Sequence, residues 1–594
     1  MFIPVAFAIS PVTPENWLSL HFLQMIDFAA KNQFPVISHQ HYFDLLSDGE
    51  QCNRIMQNSD VFHISTDFTE LDFDPSLQIG IPIEIEKRFI SKFPSETDAF
   101  ISSVIDDWSE IEDFIFNALK SLLTDKEAKA FISFNSNKFL NNISQRIGCS
   151  VINYELSAIR EPNYNQTLYY FDFKGHYGNS SSSEKYKSYM ADDHSKCTIL
   201  TRKELLGLFL QNKDIDYLNY IDSDAPYEAG VASKGLTISG SFSSNKVNDA
   251  EMVQRAIKVF GKKNILYKPR FAHVYGEVLE AAWGEIDVHN ENLFDFLVKS
   301  KRVICAGSNT SLDAALFGKI VYDVGFSHNA MISNDKLELL DDSKPSDENL
   351  SFIVFSTLVP VELFWEKEYL DYRMKNPSEV ELYLYHMKYQ LEKLGLEEVF
   401  FVMSSVDRLK SILEKRCIDY KQLFDQTVSP IHRDSERLCS RWVYDCGEGF
   451  SYENTIDSSG WHDSNSILYQ NITLPKGCKA VRWYPASSPC IIDSYKFKNE
   501  AGTLFDVLAH NGRKIGDSGK TTFYTDSFIE VDTKLQNSEI IYVEAEIRRL
   551  SGIECIQQEN NVLLEVLSAM EMSKSWRITA PLRKIMKIMH KNHS

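Results

Sequence analysis

The hydrophobic and polar positions of the chain follow different periodicities in its successive parts. From residue 1 to about residue 189, short apolar runs alternate with amphipathic stretches of helical spacing. Alternating strands and helices predict a mostly parallel sheet covered on both faces. The strands are predicted at residues 5–9, 34–38, 61–65, 130–134 and 150–154, and the helices at residues 17–30 and 99–123.

A polar, serine-rich stretch at residues 178–196 interrupts this pattern, and we expect it to be a loop between domains. The alternation then resumes, which predicts a second sheet domain facing the first across a cleft. Helical periodicity at residues 377–425 predicts helices that brace both domains. In the second domain the strands are predicted at residues 235–239, 265–268, 303–306 and 320–324, and the helices at residues 249–260, 293–299 and 312–317.

Beyond residue 430 the pattern changes to alternating, aromatic-rich segments separated by turn residues, which predicts an antiparallel β-sandwich. Its tryptophan, tyrosine and aspartate content suits carbohydrate binding, and the aromatic residues can equally form the core. The clearest strand candidates are residues 466–474, 480–484, 490–498 and 540–548.

The last part of the chain is basic, since no acidic residue follows Glu571. Apolar residues are interleaved with the lysines and arginines at spacings that can share one helix face. Such a helix can lie on an anionic membrane surface or pack on the body of the protein with its charges in solvent. Both interpretations stay open.

The expected fold class is α/β, with two Rossmann-like domains followed by an antiparallel β-sandwich domain and a basic C-terminal helix. The expected boundaries are an N-terminal domain at 1–190, a second sheet domain at 191–400, a helical connector at 401–435, the β-sandwich at 436–560 and the amphipathic tail at 561–594.

Composition and charge narrow the classes of partner. A chain of 594 residues is too long for one hydrophobic core, and its 43% hydrophobic content suits several packed domains. The net charge of −21 argues against nucleic acid as a partner, because phosphate binding needs a basic surface. The ten cysteines form no CxxC pair, which argues against structural zinc and favours a reducing compartment.

No apolar run approaches the roughly 18 residues that a membrane span needs. The first ten residues lack the positive charge of a signal peptide and are interpreted as a buried strand. The sequence therefore predicts a cytoplasmic protein, and the basic tail adds the option of peripheral attachment to the inner membrane.

The turn after the strand at 303–306 is a candidate phosphate site. It contains Ser308, Asn309, Thr310 and Ser311 and leads into an Ala/Leu-rich helix. Unpaired N–H groups and the dipole at such a helix start favour an anion, and the hydroxyls add donors. The alternative is that Ser308 or Thr310 is only an N-cap.

Cationic residues follow the strand at 265–268. Lys268-Pro269-Arg270 should end that strand, because proline cannot continue a central ladder. In an open α/β sheet, ligands bind beyond the carboxyl ends of the strands. Lys268 and Arg270 are therefore candidate partners of an anionic ligand.

Glu155 follows the strand at 150–154 and is expected at the edge of the cleft. A partly buried carboxylate there can act as a general acid or base. The alternative is a surface pair between Glu155 and Arg160, which contributes little energy.

Four motifs together resemble those of the bacterial capsule-synthesis glycosyltransferases, in particular the retaining β-Kdo transferases of capsule and O-antigen assembly (WbbB-like). They are Tyr154-Glu155-x-x-Ala158-Ile159-Arg160-x-Pro162, Asp172-x-Lys174-Gly175-x-x-x-Asn179-Ser180-Ser181, Tyr267-Lys268-Pro269 and the segment Ser308 to Lys319. The resemblance covers roughly residues 1–400. The β-sandwich and the tail also resemble modules appended to bacterial polysaccharide glycosyltransferases.

The resemblance implies a GT-B-type arrangement of the two Rossmann-like domains and transfer of Kdo, or a related 2-keto acid, from a CMP-sugar donor. The acceptor would be a glycan, free or lipid-linked, of a surface polysaccharide. Lys268, Arg270 and the turn Ser308–Ser311 would bind CMP, and Glu155 would face the reacting sugar. The resemblance implies neither a metal nor another cofactor.

The sequence departs from the family pattern at two places. Arg270-Phe271 stands where His-Pro is usual, with His273 nearby as a substitute. A retaining double displacement needs a carboxylate nucleophile in the second domain, and the aligned position holds Ala232. Either Asp222, Asp224 or Glu228 serves instead, or the chain is a catalytically altered glycan-binding or scaffold protein.

Overall fold

The computed structural model describes most of the chain, and all structural statements below concern these residues. They are 1–7, 15–57, 66–94, 96–123, 127–134, 137–176, 179–221, 223–233, 249–269, 286–288, 292–325, 327–396, 400–427, 439–446, 450, 454–459, 461–462, 467–485, 490–514, 521–523, 528–533, 540–550, 563–564 and 566–570.

The chain forms two compact units, and the first comprises Met1–Ile199, Pro226–Tyr267 and Ser300–Tyr389. The first unit contains the strands of an α/β body, whereas the short strand Asp287–Val288 belongs to the second unit. Up to residue 389 the strands are β1 (Phe2–Ala6), β2 (Val36–His39), β3 (Gln78–Ile81), β4 (Ala130–Ser133), β5 (Ser150–Leu156), β6 (Leu168–Asp172), β7 (Ala229–Ala232), β8 (Ile265–Lys268), β9 (Asp287–Val288), β10 (Arg302–Cys305), β11 (Ile320–Asp323) and β12 (Leu358–Pro360).

The first sheet has seven strands in the order β12-β6-β5-β4-β1-β2-β3. β1 pairs in parallel with β2 and β4, and β4 pairs in parallel with β5. β6 is antiparallel to β5, and β12 is antiparallel to β6. Successive side chains of a strand point to opposite faces, so those of β1 alternate between two cores, with Phe2 in one and Ile3 in the other. Every residue of β1 is buried, because both faces of the sheet are covered.

Helices cover this sheet on both faces. Trp108 lies in the short segment that connects helix Glu96–Ile105 to helix Ser109–Leu122, and its side chain is buried. The helices of the chain up to residue 191 are Glu15–Asn32, Gln40–Leu45, Gly49–Gln57, Ile83–Ile90, Glu96–Ile105, Ser109–Leu122, Lys138–Ile147 and Ser182–Ala191.

In the second sheet, β11, β10, β7 and β8 are neighbours in that order, and β10 is parallel to both β11 and β7. Helix Asp249–Phe260 has a buried face that includes Met252 and Val253. The other helical segments of this part are Thr310–Leu316, Asp347–Phe352, Ile353–Thr357 (a π-helix), Val361–Phe364, Lys367–Arg373 and Glu379–Leu394.

The second unit comprises Leu200–Ala225, Lys268–Lys299 and Gln390–Ser594. Its main helices are Arg202–Phe209, Leu293–Lys299 and Ser405–Thr427. Arg416, buried on the last of these, donates to the carbonyl oxygens of Gly207 and Leu210 at the end of the first. Capping the helix end in this way satisfies carbonyl groups that the helix itself leaves unpaired.

Two antiparallel sheets form the β-sandwich of this unit, in the orders β14-β13-β17-β22-β19 and β15-β16-β23-β18-β21-β20. Trp442, Trp483 and Phe497 are buried in the core between inward-facing residues. The strands are β13 (Cys439–Asp445), β14 (Thr455–Ser459), β15 (Trp461–His462), β16 (Ile467–Thr473), β17 (Ala480–Tyr484), β18 (Cys490–Lys498), β19 (Val507–His510), β20 (Arg513–Lys514), β21 (Thr521–Phe523), β22 (Ile529–Asp532) and β23 (Ile540–Arg549).

The predicted class, an α/β body with two Rossmann-like sheets followed by an antiparallel β-sandwich, is confirmed. The tryptophans at 442 and 483 are core residues, so the carbohydrate-binding interpretation does not apply to them. The domain boundaries stay predictions, and the basic C-terminal helix lies outside the described residues.

Two local predictions are wrong, and one strand has no predicted counterpart. The serine-rich stretch at 178–196 is not only a loop, since Ser182–Ala191 is a helix that buries Tyr189. The long helix predicted at 99–123 is two helices, because the chain turns to bury Trp108. The segment at 226–233 contains β7, which the sequence analysis missed. The strands predicted at 61–65 and 235–239 lie outside the described residues.

Among the described residues, no helix combines the length and the apolar character that crossing a bilayer requires. The cysteines whose state the structure describes are free thiols, eight in number.

Candidate functional site

Glu155 is the centre of a cluster of polar side chains near the end of β5. Its side chain is 18% exposed, and its Oε2 lies 3.1 Å from Nε2 of the buried His328. His328 follows β11, so this hydrogen bond joins residues of the two sheet regions. Arg160 donates to the carbonyl of Ser157 at 3.2 Å instead of forming the surface pair considered for Glu155.

Two aromatic neighbours hold the ring of His328. Tyr170 of β6 stacks on it, with ring centroids 4.4 Å apart and an interplanar angle of 12°. His176 meets it edge-on at 5.3 Å. Burial lowers the pKa of His176 to about 4, although the charge of Glu155 opposes this shift, so its imidazole is neutral near pH 7.

Glu155, His176 and His328 together have the chemistry of a metal site. One ligand atom from each residue lies within 4.8 Å of the others. Carboxylate and imidazole groups are common ligands of zinc and other transition metals. The three residues can therefore hold a divalent cation, and the expectation that no metal is needed stays a prediction.

Asp172 organises the loop that carries His176. Its carboxylate accepts hydrogen bonds from the backbone N–H of Lys174 at 2.7 Å and from the N–H and Oγ of Ser181 at 2.8 and 2.7 Å. Burial raises the pKa of this carboxyl, but the Lys185 ammonium and these hydrogen bonds outweigh burial and lower it to about 2. The second sequence motif is thus a structural unit built around one ionised carboxylate.

The turn between β10 and helix Thr310–Leu316 is held by Asp323, the last residue of β11. Its Oδ1 accepts from the N–H of Gly307 at 2.6 Å and from the N–H of Gly325 at 3.1 Å. Gly307 has a φ of 55°, which favours glycine. A Cβ on Gly325 would lie 2.8 Å from the Gly307 nitrogen, so the two backbone segments approach too closely for a side chain.

The four polar residues of this turn divide into two pairs. Asn309 donates from Nδ2 to the carbonyl of Leu156 at 2.8 Å, and the buried Ser311 donates to the carbonyl of Ser308 at 2.7 Å. Ser308 and Thr310 are partly exposed, and their hydroxyls lie 3.2 Å apart. Asn309 and Ser311 therefore connect parts of the protein, whereas Ser308 and Thr310 keep hydroxyls near solvent.

A buried carboxyl follows on the same helix. Asp313 accepts a hydrogen bond from the hydroxyl of Tyr164 at 2.6 Å. Burial raises the pKa of Asp313 to about 7, and the Tyr164 hydrogen bond and the charge of Arg160 only partly offset that effect. The contact adds a further link between the two sheet regions.

Ala232 is the last residue of β7 and is buried. The next residue, Ser233, donates its hydroxyl to the carboxylate of Asp249 at the start of helix Asp249–Phe260. A carboxylate that sequence analysis did not single out therefore lies beside the carboxyl end of β7. It could have been noticed as the first acidic residue of the predicted helix.

Glu228 lies at the opposite end of β7 from Ala232. Its carboxylate pairs with Arg302 at 2.6 Å, and Arg302 also pairs with Asp342 at 2.5 Å. Since β7 and β10 are parallel and Arg302 begins β10, Glu228 is at the amino ends of the strands, away from the turn that follows β10. The structure does not bring Glu228 to Glu155.

The remaining candidate residues are only partly described. Lys268 is the last residue of β8 and is partly buried, and Asp224 is exposed in the segment before β7. Asp222, Arg270 and His273 lie outside the described residues. Their assigned roles stay predictions.

His176, His328 and Asn329 are site residues that the sequence does not predict. Asn329 accepts from the Tyr170 hydroxyl at 2.9 Å and donates to Ser311 at 3.0 Å, which ties β6 to the helix after β10. The sequence signal is the polar triplet Ser327-His328-Asn329, which comes shortly after a buried strand, where α/β proteins place ligand-binding loops.

Comparison with known proteins gives one family match. Residues 11–181 match the Glycosyltransferase 99 family N-terminal domain. This part of the chain ends at the Asp172 loop and includes Glu155 and the motif around it. The glycosyltransferase resemblance predicted from the sequence is thereby confirmed. No curated protein matches the chain.

Several solved structures show weak similarity. The β-Kdo 2,7 transferase of Thermosulfurimonas dismutans KpsC is 17% identical over 49% of this chain and 96% of that one, with a TM-score of 0.29. The β-Kdo 2,4 transferase of the same protein is 13% identical over 38% and 78%, with a TM-score of 0.24. UDP-GlcNAc 2-epimerase from Neisseria meningitidis is 10% identical over 66% and 100%, with a TM-score of 0.22.

Proposed function

We propose that the protein is a glycosyltransferase that moves Kdo or a related 2-keto acid from a CMP-activated donor to a bacterial capsule or O-antigen polysaccharide. The observation that carries the proposal is the hydrogen bond between Glu155 and His328, near the end of β5. Glu155 belongs to the part of the chain that matches a glycosyltransferase domain. The donor class rests on the motif resemblance.

In the proposed reaction, the oxygen of the acceptor hydroxyl attacks the anomeric carbon of the donor sugar. The Glu155 carboxylate accepts the proton that this hydroxyl loses. In a single displacement the bond from the anomeric carbon to the CMP phosphate breaks in the same step, CMP leaves with the electron pair and the configuration inverts. In the retaining reaction that the motif resemblance implies, a carboxylate of the protein first displaces CMP in this way, and the acceptor oxygen then displaces that carboxylate. A positioned carboxylate typically contributes about 10²–10⁴-fold to such a step. His328 fixes the carboxylate, and Tyr170 fixes His328 by stacking.

Ser308 and Thr310, whose hydroxyls lie near solvent, would bind the donor phosphate. The motif resemblance separately assigns Lys268, Arg270 and His273 to donor binding. Cationic side chains and hydroxyl donors stabilise the charge that develops on a leaving phosphate. Asn309 and Ser311 would act indirectly, because their side chains are engaged in contacts that hold the turn.

The position of Ala232 favours a second candidate, a catalytically altered protein that binds glycans or acts as a scaffold in polysaccharide assembly. Ala232 cannot be the nucleophile of a retaining reaction. Asp249, hydrogen-bonded to Ser233, is the carboxylate that the structure adds to the earlier candidates Asp222, Asp224 and Glu228.

Thermal shifts with CMP, CMP-Kdo, CMP-sialic acid, UDP-sugars and GDP-sugars test the donor class. We expect the CMP compounds alone to raise the melting temperature, and no shift with any CMP compound contradicts the proposal. Donor hydrolysis and transfer assays then separate the two candidates. Turnover that Glu155→Gln abolishes supports the enzyme, whereas CMP-independent glycan binding without turnover supports the scaffold.

A further inference from the structure

The outer face of the second sheet of the β-sandwich carries a polar groove lined by two tyrosines. The groove has a volume of about 550 Å³, within the range of about 300–1,000 Å³ that is usual for small-molecule sites. Tyr469 and Tyr542 line it together with Asn471, Lys498 and Glu544. These residues come from the neighbouring strands β16, β23 and β18.

The strand register places these side chains on one face. Tyr469 lies opposite Glu544, and Asn471 lies opposite Tyr542. On the other side of β23, Lys498 lies opposite Tyr542. Directly opposed residues share a face of a sheet. The intervening residues of β16 and β23 are buried in the core, so the groove residues point away from it.

This combination of groups suits a sugar. Tyrosine offers a flat apolar surface for the C–H face of a sugar ring and a hydroxyl for hydrogen bonding. The amide of Asn471 and the charged heads of Lys498 and Glu544 can donate to and accept from ring hydroxyls. Tyr469 is 47% exposed, unlike Trp442 and Trp483 of the same domain, which are fully buried.

The charges of the groove indicate which sugars fit. Lys498 is matched by Glu544, whose carboxylate lies 2.7 Å from its ammonium, and Glu500 adds a further negative charge at the rim. The Lys498 hydrogen bond lowers the pKa of Glu544, which keeps that carboxylate ionised at neutral pH. Lys496, exposed and directly opposite Glu544 on the same face, adds a second lysine, so the positive and negative charges balance and the groove favours no charged sugar.

We propose that this groove binds a neutral glycan chain. A sandwich that holds neutral sugars would keep a growing polysaccharide attached to the protein while its end is modified elsewhere on the chain. The binding itself does not depend on the proposed transferase activity, because no residue of the Glu155 cluster takes part in it.

Affinity electrophoresis of the full-length protein in native gels tests this inference. The gels contain dextran, yeast mannan or arabinan as neutral glycans, or polygalacturonate as an acidic glycan. We expect at least one neutral glycan to retard the protein and polygalacturonate to have a smaller effect. Tyr469→Ala and Tyr542→Ala should each weaken the retardation about tenfold, as expected for an aromatic anchor at the centre of a binding surface.

Tyr220→Ala is the matched control, because Tyr220 is 49% exposed and lies outside the sandwich. It should leave the retardation unchanged, and melting temperatures of all variants check that they fold. Retardation by no neutral glycan, or retardation that neither groove variant weakens, overturns the proposal. Stronger binding to polygalacturonate also overturns it, whatever the outcome of the CMP experiments.

Discussion

Nε2 of His328 lies 3.1 Å from Oε2 of Glu155, so a residue that follows β11 positions a carboxylate near the end of β5. We expect Glu155→Gln to lower the transfer rate by about 10²–10⁴-fold, because the amide cannot take up the acceptor proton. His328→Gln should give a smaller loss, since it keeps a donor beside Glu155 but loses the imidazole. Initial rates with saturating CMP-Kdo measure both effects.

His194→Gln is the control for these substitutions, because His194 is partly exposed and pairs with Glu348 instead. Its rate should equal that of the unmodified protein. A Glu155→Gln variant with an unchanged rate would exclude Glu155 as the general base. In every variant the thermal shift with CMP should persist, which separates loss of chemistry from loss of donor binding.

Two serines of one turn should differ in what they affect. Ser308→Ala removes a partly exposed hydroxyl, and we expect it to weaken CMP binding about tenfold, as expected for a lost hydrogen bond to a charged group. Ser311→Ala removes a buried hydroxyl that contacts Ser308 and Asn329, and it should lower the free energy of unfolding by about 1–2 kcal/mol. Calorimetric titration with CMP and urea unfolding give the two readouts. Equal CMP affinities for the Ser308 variant and the unmodified protein would count against the phosphate site.

Asp172 should contribute more to stability than Glu184, an exposed carboxylate in the first turn of the following helix. Asp172→Ala removes the anionic partner of the partly buried Lys185 and leaves several N–H donors without their acceptor, so we expect a loss of about 3 kcal/mol in the free energy of unfolding. Glu184→Ala removes an exposed pair with Lys174 and should cost less than about 1 kcal/mol.

Because the folded-state pKa of Asp172 is lowered to about 2, its contribution is present above pH 4 and is lost as the pH falls toward 2. Urea unfolding at pH 7 compares the two variants, and equal losses would contradict the assignment.

The sequence identified the elements whose periodicity is local. Helix Asp249–Phe260 and strand β8 agree with the predicted bounds, because an apolar stripe on one face marks the helix and a short apolar run marks the strand. Glu155 was a candidate since it follows a buried strand. Contacts between distant segments could not be predicted in this way. β12 joins β6 across nearly 190 residues, and three residues carry too little pattern to specify a partner.

The same limit explains what was missed at the candidate site. His328 comes to Glu155 only after β10, β11 and the turn between them are in place, and no motif marks it. The stretch around Ser181 has the sequence pattern of a loop, because serines are common in linkers. In the structure their donors are used by Asp172, a partner nine residues earlier.

Asp313 should make the stability of the protein depend on pH in an unusual direction for a carboxyl. Its pKa is raised from 3.8 to about 7 by burial, so the folded state holds a proton that the unfolded state releases. Stability from this group is complete below about pH 4, falls between pH 4 and pH 7, and is level above pH 7. The buried histidines 21, 176 and 386 act in the opposite direction, because burial lowers their pKa values and stability is lost as the pH falls below 6.5.

Asp313→Asn isolates the carboxyl from these histidines. As the pH rises from 4.5 to 7, the melting temperature of the unmodified protein should fall relative to that of the variant, because only the unmodified protein loses the contribution of protonated Asp313. Asp216→Asn provides the control at an aspartate outside this helix. A difference that does not change over that range would mean that Asp313 is ionised in the folded protein throughout.

The cluster of Glu155, His176 and His328 allows the metal question to be decided by experiment. We expect transfer to be unaffected by EDTA, because the proposed reaction uses cationic side chains and hydroxyls to stabilise the leaving CMP. Zinc should instead inhibit it, since a cation bound by these three ligands would occupy the carboxylate that accepts the proton. His176→Ala removes one ligand and should relieve the inhibition by zinc. The rates of this variant and of the unmodified protein without zinc are measured in the same assay. If EDTA abolishes transfer and zinc restores it, the reaction is metal-dependent, and Glu155 acts as a ligand instead of a base.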